Sequence, residues 1–217
     1  MALALDGHVH SSPSGSISVT TVTLTTTNAN DIIYLVCEIN GGAGITILSV
    51  SSPNTSGWTV RATGGVSQYP LVSAYGIAAS ALSSEVITVT LNGTASFWTL
   101  DAFGVSGANT STPFDSNGSI PQVSSGSVNV ISTNNANDFL IGAFRDNLNP
   151  AIGAGSGWTL INTGDYQLVQ YQVVSSTQSS LSVVEGAGSA CNGAIADAIV
   201  AAGVVILPGI LMGQASL

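Results

Sequence analysis

The sequence has no lysine, and Arg61 and Arg145 are its only arginines. Phosphate binding needs clustered basic side chains, so nucleic acid is excluded as a partner. Electrostatic anchoring to an anionic membrane surface is excluded for the same reason. Charged residues of both signs make up only 6% of the chain, against roughly a quarter in ordinary soluble domains. With a formal net charge of -9, the exterior must be built from Ser, Thr, Asn, Gln and Gly. Two cysteines, Cys37 and Cys191, are too few for a disulfide framework and read as buried thiols. Both histidines, His8 and His10, fall within the first ten residues and no G-x-S-x-G elbow exists. This removes the Ser-His-Asp arrangement. Phosphate-loop and dinucleotide fingerprints are missing as well. The opening segment has no basic start and too short an apolar stretch for a secretory signal, so folding in a cytoplasm is the default expectation.

What the chain does have is strand periodicity. Apolar residues make up 45% of it, and they fall in regular segments that a disordered chain lacks. Ile87, Val89 and Leu91 alternate with Thr88 and Thr90 and end at the Asn92-Gly93 turn signal. Val169, Tyr171 and Val173 alternate with Gln170 and Gln172, which predicts one apolar and one polar face. No stretch before about residue 190 has the pattern of an amphipathic helix.

Much of the chain also reads twice. Asn28-Ala29-Asn30-Asp31 recurs as Asn135-Ala136-Asn137-Asp138, and Ser56-Gly57-Trp58-Thr59 as Ser156-Gly157-Trp158-Thr159. Tyr75 then matches Tyr171, and Asp101-Ala102 matches Asp197-Ala198. The expected fold is all-β, an antiparallel β-sandwich of jelly-roll-like type with an internal pseudo-repeat. Residues 1–15 read as an N-terminal arm. Residues 16–206 read as the sandwich, its halves 16–107 and 122–206 joined by 108–121. Residues 207–217 read as an apolar tail. One shared sandwich is preferred over two separate ones, because each half is poor in aromatic core residues.

The candidates for chemistry are few. Asp31 and Asp138 open apolar strands, where an Asp accepts backbone N–H bonds and fixes the turn. A glycosidase pair would instead need them facing each other across a sugar. His8-Val9-His10 places two imidazoles on one side of an extended segment, with no third metal ligand nearby. No catalytic, cofactor-binding or metal-ligating residue is therefore assigned. Trp58, Trp158 and Tyr69 are the candidates for stacking on a glycan, although burial is the commoner fate of such aromatics. The uncharged stretch from Ala198 to Leu217 is long enough to span a bilayer. Pro208-Gly209 interrupts it and no basic residue flanks it, so no membrane span is expected. Ile206, Leu207, Ile210, Leu211 and Met212 are instead the candidates for a subunit interface.

Taken together, Thr25-Thr26-Thr27-Asn28-Ala29-Asn30-Asp31, Ser56-Gly57-Trp58-Thr59 and the stretch from Ala102 to Asp115 resemble β-sandwich proteins of bacteriophages and prophages. The resemblance spans about Ser16 to Ala202. It implies a non-enzymatic virion component: a capsid decoration or spike subunit, or a tail-associated module. Such a part would assemble in the host cytoplasm as a homo-oligomer, a trimer by preference, and contact other virion proteins. The alternative is a carbohydrate-binding module that recognises host surface glycans. No cofactor is implied. The chain departs from the group at its end, where it continues through residues 204–217.

Overall fold

The computed structural model describes residues 1–146, 153–186 and 191–203. The described residues form antiparallel strands and no helix, an all-β sandwich as the alternation predicts. The first half contributes β1 (Ala4–Ser11), β2 (Ser14–Leu24), β3 (Asp31–Asn40), β4 (Ile47–Ser51), β5 (Thr55–Val66), β6 (Tyr69–Ala78) and β7 (Glu85–Ser106). The second contributes β8 (Gln122–Ser124), β9 (Val128–Ile131), β10 (Asp138–Asp146), β11 (Thr159–Gly164), β12 (Gln167–Val174), β13 (Leu181–Val184) and β14 (Cys191–Val200).

The long strand β7 organises the first half. Its N-terminal part pairs with β2 and β4, and its C-terminal part lies between β1 and β3 in the order β1-β7-β3-β6-β5. One strand thus serves both layers of that half. Ile33, Leu35, Val89, Leu91 and Trp98 fill the space between those layers. The second half has the sheet β11-β12-β10-β14-β8 and the separate pair β13-β9. Leu140, Phe144, Leu168, Val183 and Ala196 lie between them. A third core joins the halves, where Ile32, Tyr34 and Phe103 of the first meet Phe139, Ile141 and Ile195 of the second. The result is four layers of sheet with three cores.

The preferred single sandwich therefore describes only the central pair of sheets. Each half encloses a further core, built chiefly from aliphatic side chains, and each such side chain contributes about 1.5–3 kcal/mol when fully buried. Within the halves, Asp31 pairs with Ala78 across β3 and β6, and Asp138 with Val174 across β10 and β12. The landmark pair Asp101 and Asp197 is not equivalent in register. Asp101 lies opposite Val36, whereas Asp197 lies opposite Ile141. Ile141 is the counterpart of Tyr34 and not of Val36, so the apparent match is displaced by two residues, which keeps the same face of the strand.

Other expectations change as well. The segment read as an arm forms β1, paired with β7 from Ala4↔Ser106 to Ser11↔Leu100. Along β12 the polar face is not turned to solvent. Gln170 is fully buried, accepts from Gly155 N at 2.8 Å and donates to Val184 O at 2.9 Å, while Val173 is exposed. A buried sheet reads its polar positions as internal bonds. The five tail positions, Ile206, Leu207, Ile210, Leu211 and Met212, lie outside the described residues.

Candidate functional site

The scarce charges are concentrated inside the molecule. Of the 11 acidic residues, all but Asp165 are buried. Arg145 is buried too, and Arg61 is half-buried. Both arginines cross from one half to the other. Arg61 of β5 donates Nε and Nη2 to the two carboxylate oxygens of Asp197 on β14, each at 3.0 Å. Arg145 of β10 donates Nε to Glu38 Oε1 on β3 at 3.2 Å. Each half thus supplies one cation and one anion to the other.

The Arg61 pair is fully dressed. Asp197 also accepts from Tyr34 Oη at 3.0 Å and from its neighbour's amide, Ala198 N, at 2.9 Å. The guanidinium lies 3.9 Å above the Phe114 ring, contributed by the connection between the halves. The Arg145 pair is less complete. Arg145 also reaches Asn192 Oδ1 at 2.7 Å and covers the Tyr69 ring at 4.0 Å. Glu38 Oε2, by contrast, is buried with no hydrogen-bond partner. Burial pushes the Glu38 carboxyl up to about 7 against the opposing pull of Arg145.

Next to this pair lies a cluster built from both halves. On β7, Thr99 and Asp101 face the second sheet, and β1 brings His8 and His10 onto the same face. From the other side come Asn162 of β11 and Gln167 of β12. Gln167 follows a two-residue turn in which Asp165 and Tyr166 have φ of 50° and 70°. These angles suit a tight hairpin of the right twist, and they aim the first residue of β12 at the facing sheet. His8 Nε2 and His10 Nδ1 approach Asp101 Oδ1 at 3.0 and 3.1 Å, and His10 Nε2 lies 3.4 Å from Asp165. The amide of Asn162 lies 2.9 Å from His10 Nδ1. Burial pushes the Asp101 carboxyl up, but the hydrogen bonds from His10 and His8 outweigh it and hold it below its ordinary value. The Asp101 hydrogen bond in turn raises His10, against the effect of burial.

Gln167 is saturated. Its Oε1 accepts from Thr99 Oγ1 at 2.5 Å and from Glu38 N at 2.9 Å, and its Nε2 donates to Asp101 Oδ2 at 2.5 Å and to Val36 O at 3.4 Å. Among the described residues no group of three His, Cys, Asp or Glu side chains has a metal-holding arrangement.

Two more acid pairs sit at the turns that begin β3 and β10. Asp6 accepts from the amides of Thr27 and Asn28 and from both their side chains, at 2.7–3.0 Å. Asp115 accepts likewise from the amides of Asn134, Asn135 and Asn117 and from the Asn135 side chain. Asp31 and Asp138, expected to make these bonds, do not. Burial first, then the neighbouring Asp6 or Asp115, pushes each of them up to about 7. Asp6 falls to about 2, because the donors of Thr27 and Asn28 outweigh burial. The two carboxyls of each pair interact, so their titrations are coupled.

The glycan candidates lie apart from one another. Trp58 is half-buried over Gly76, where a methyl group would meet the indole at 2.8 Å, and its Nε1 donates to Ser52 Oγ at 3.2 Å. Trp158 is half-buried against the core of the second half. Tyr69 has one face covered by Arg145. An open groove of about 370 Å³ between the segment at Gly44–Thr46 and the β5–β6 hairpin holds no titratable side chain. Sequence reasoning missed Glu38, Thr99, Asn162, Gln167, Asp6, Asp115 and the pairing of both arginines. The available signal was the arginines themselves, since two isolated cations among apolar strand residues need partners. Comparison with protein-family models, with curated proteins and with solved structures gave no match.

Proposed function

We propose that the protein is a non-enzymatic structural subunit, acting through contacts between copies in a virus particle, as the sequence resemblance implies. The supporting observation is the distribution of charge. Every charged side chain is buried or half-buried, so a contact between copies would desolvate few charged groups, and a polar, largely uncharged surface suits such contacts. Exposed apolar positions add to this: Leu48 on β4, and Val128 and Val130 on one face of β9. The two halves are read as copies of one unit, which the matching registers of Asp31 and Asp138 support. Sedimentation of the purified chain should show a closed homo-oligomer, with a trimer expected, and mass spectrometry should find the chain in purified particles. A monomer at every concentration, missing from particles, overturns the reading.

The glycan-binding alternative rests on Trp58 and Trp158, whose partly exposed indoles remain accessible. Glycan-array binding that is lost in Trp58→Ala or Trp158→Ala would favour it.

A further inference from the structure

We propose that Thr99 and Gln167 form an intramolecular ester, a self-made covalent link between the two halves with ammonia as the by-product. The groups that an acyl transfer needs are gathered there inside a folded core. The Thr99 hydroxyl lies 2.5 Å from the carbonyl oxygen of the Gln167 amide, at the short end of the range for such contacts. Glu38 N–H donates to that same oxygen at 2.9 Å. A backbone donor there is placed to stabilise the negative charge that develops on a carbonyl under attack. Asp101 Oδ2 holds the amide nitrogen at 2.5 Å, where a positive charge builds as that nitrogen leaves. Glu38 stands directly opposite Thr99 in the β3–β7 ladder, so both side chains share one face. Its buried Oε2 has no hydrogen-bond partner and is free to accept the Thr99 proton once that hydroxyl turns from Gln167 Oε1.

The step balances without any further reagent. Glu38 takes the proton of the Thr99 hydroxyl, and Oγ1 adds to Cδ of Gln167. A C–O bond forms, and the charge moves to Oε1. Collapse of this intermediate breaks the C–N bond, and the proton held by Glu38 passes to the departing nitrogen. Ammonia leaves, and Glu38 returns as a carboxylate. A group poised near neutral pH suits this double duty as base and then acid. Glu38, Thr99, Asp101 and Gln167 are all buried. Reactants fixed in position gain a large advantage over free ones, and a site closed to water protects the ester from hydrolysis. Thr99 comes from β7 and Gln167 from β12, so the product ties the two central sheets together.

The test is the mass of the full-length chain after denaturation. The expected result is a mass below the sequence value by one ammonia, and full mass for Thr99→Val and Glu38→Gln after allowing for the substitution. Trypsin acting on the denatured chain cuts after Arg61 and Arg145. Fragments 62–145 and 146–217 should then emerge as one joined species that hydroxylamine separates. A wild-type chain that keeps its full mass through long incubation at mildly alkaline pH overturns the proposal, whatever the variants do. So does a loss of ammonia that leaves those two fragments unjoined, as ring closure at Asn92-Gly93 or Asn192-Gly193 would.

Discussion

The two arginine pairs that bridge the halves look alike and are built for different ends. Around Arg61, every polar atom of the partner Asp197 is engaged, by the guanidinium, by Tyr34 and by a backbone amide. Around Arg145, the partner Glu38 has one oxygen bonded and one left over, and its carboxyl is held near 7. A buried charge with complete bonding fixes structure, whereas one with an unused acceptor retains chemistry. The first pair works as a clasp. The second lies beside the Thr99–Gln167 contact, where its unbonded oxygen is the proton acceptor that the proposed ester requires.

The sharpest way to break this contrast is to remove the clasp. Arg61→Ala leaves Asp197 buried without its cation, which should cost about 3–5 kcal/mol, read from urea unfolding. A smaller loss would mean that Tyr34 and the Ala198 amide suffice. The turn acids come next. Asp6→Ala or Asp115→Ala each strips several amides of their acceptor and should cost about 2–3 kcal/mol, with similar losses in the two halves. Glu38→Gln keeps the shape and one acceptor for Arg145, so its cost should be about 1 kcal/mol or less. A loss equal to that of Arg61→Ala would make the two pairs equivalent and end the comparison.

A pH series sharpens it further. Asp31, Asp138 and Glu38 have folded values near 7, above their ordinary values of 3.8 and 4.5. Between about pH 4 and 7 the folded chain therefore holds protons that the unfolded chain has released, and stability falls as pH rises through that window. The raised His10 adds to the loss above its ordinary value of 6.5. The lowered Asp6, Asp101 and Asp115 act in the opposite sense, and their contribution is lost as pH falls below about 4. The melting temperature should peak in mild acid. The double variant Asp31→Asn, Asp138→Asn should flatten the decline toward neutrality, and an unchanged slope would show that these two acids do not carry it.

The strands were legible because alternation at Ile87, Val89 and Leu91 reports directly which face is buried. The paired turns at Asn28 and Asn135 were legible as repeated words, although the acid that grips each turn comes from far earlier in the chain. The bridging cluster was not legible. Whether Gln167 meets Thr99 depends on how two sheets stack, and nothing local in either strand encodes that. Gln170 shows the same limit from the other side. A glutamine between valines reads as solvent-facing, yet a loop amide and a carbonyl from β13's end satisfy it inside.

The interior placement of the charges has a practical corollary for handling the molecule. Simple salts act on proteins mainly by screening exposed charges, and this exterior offers almost none to screen. Raising sodium chloride should neither disperse assemblies of the chain nor drive them together. Agents that compete for apolar and amide surface, or that are excluded from it, are the ones that govern its assembly.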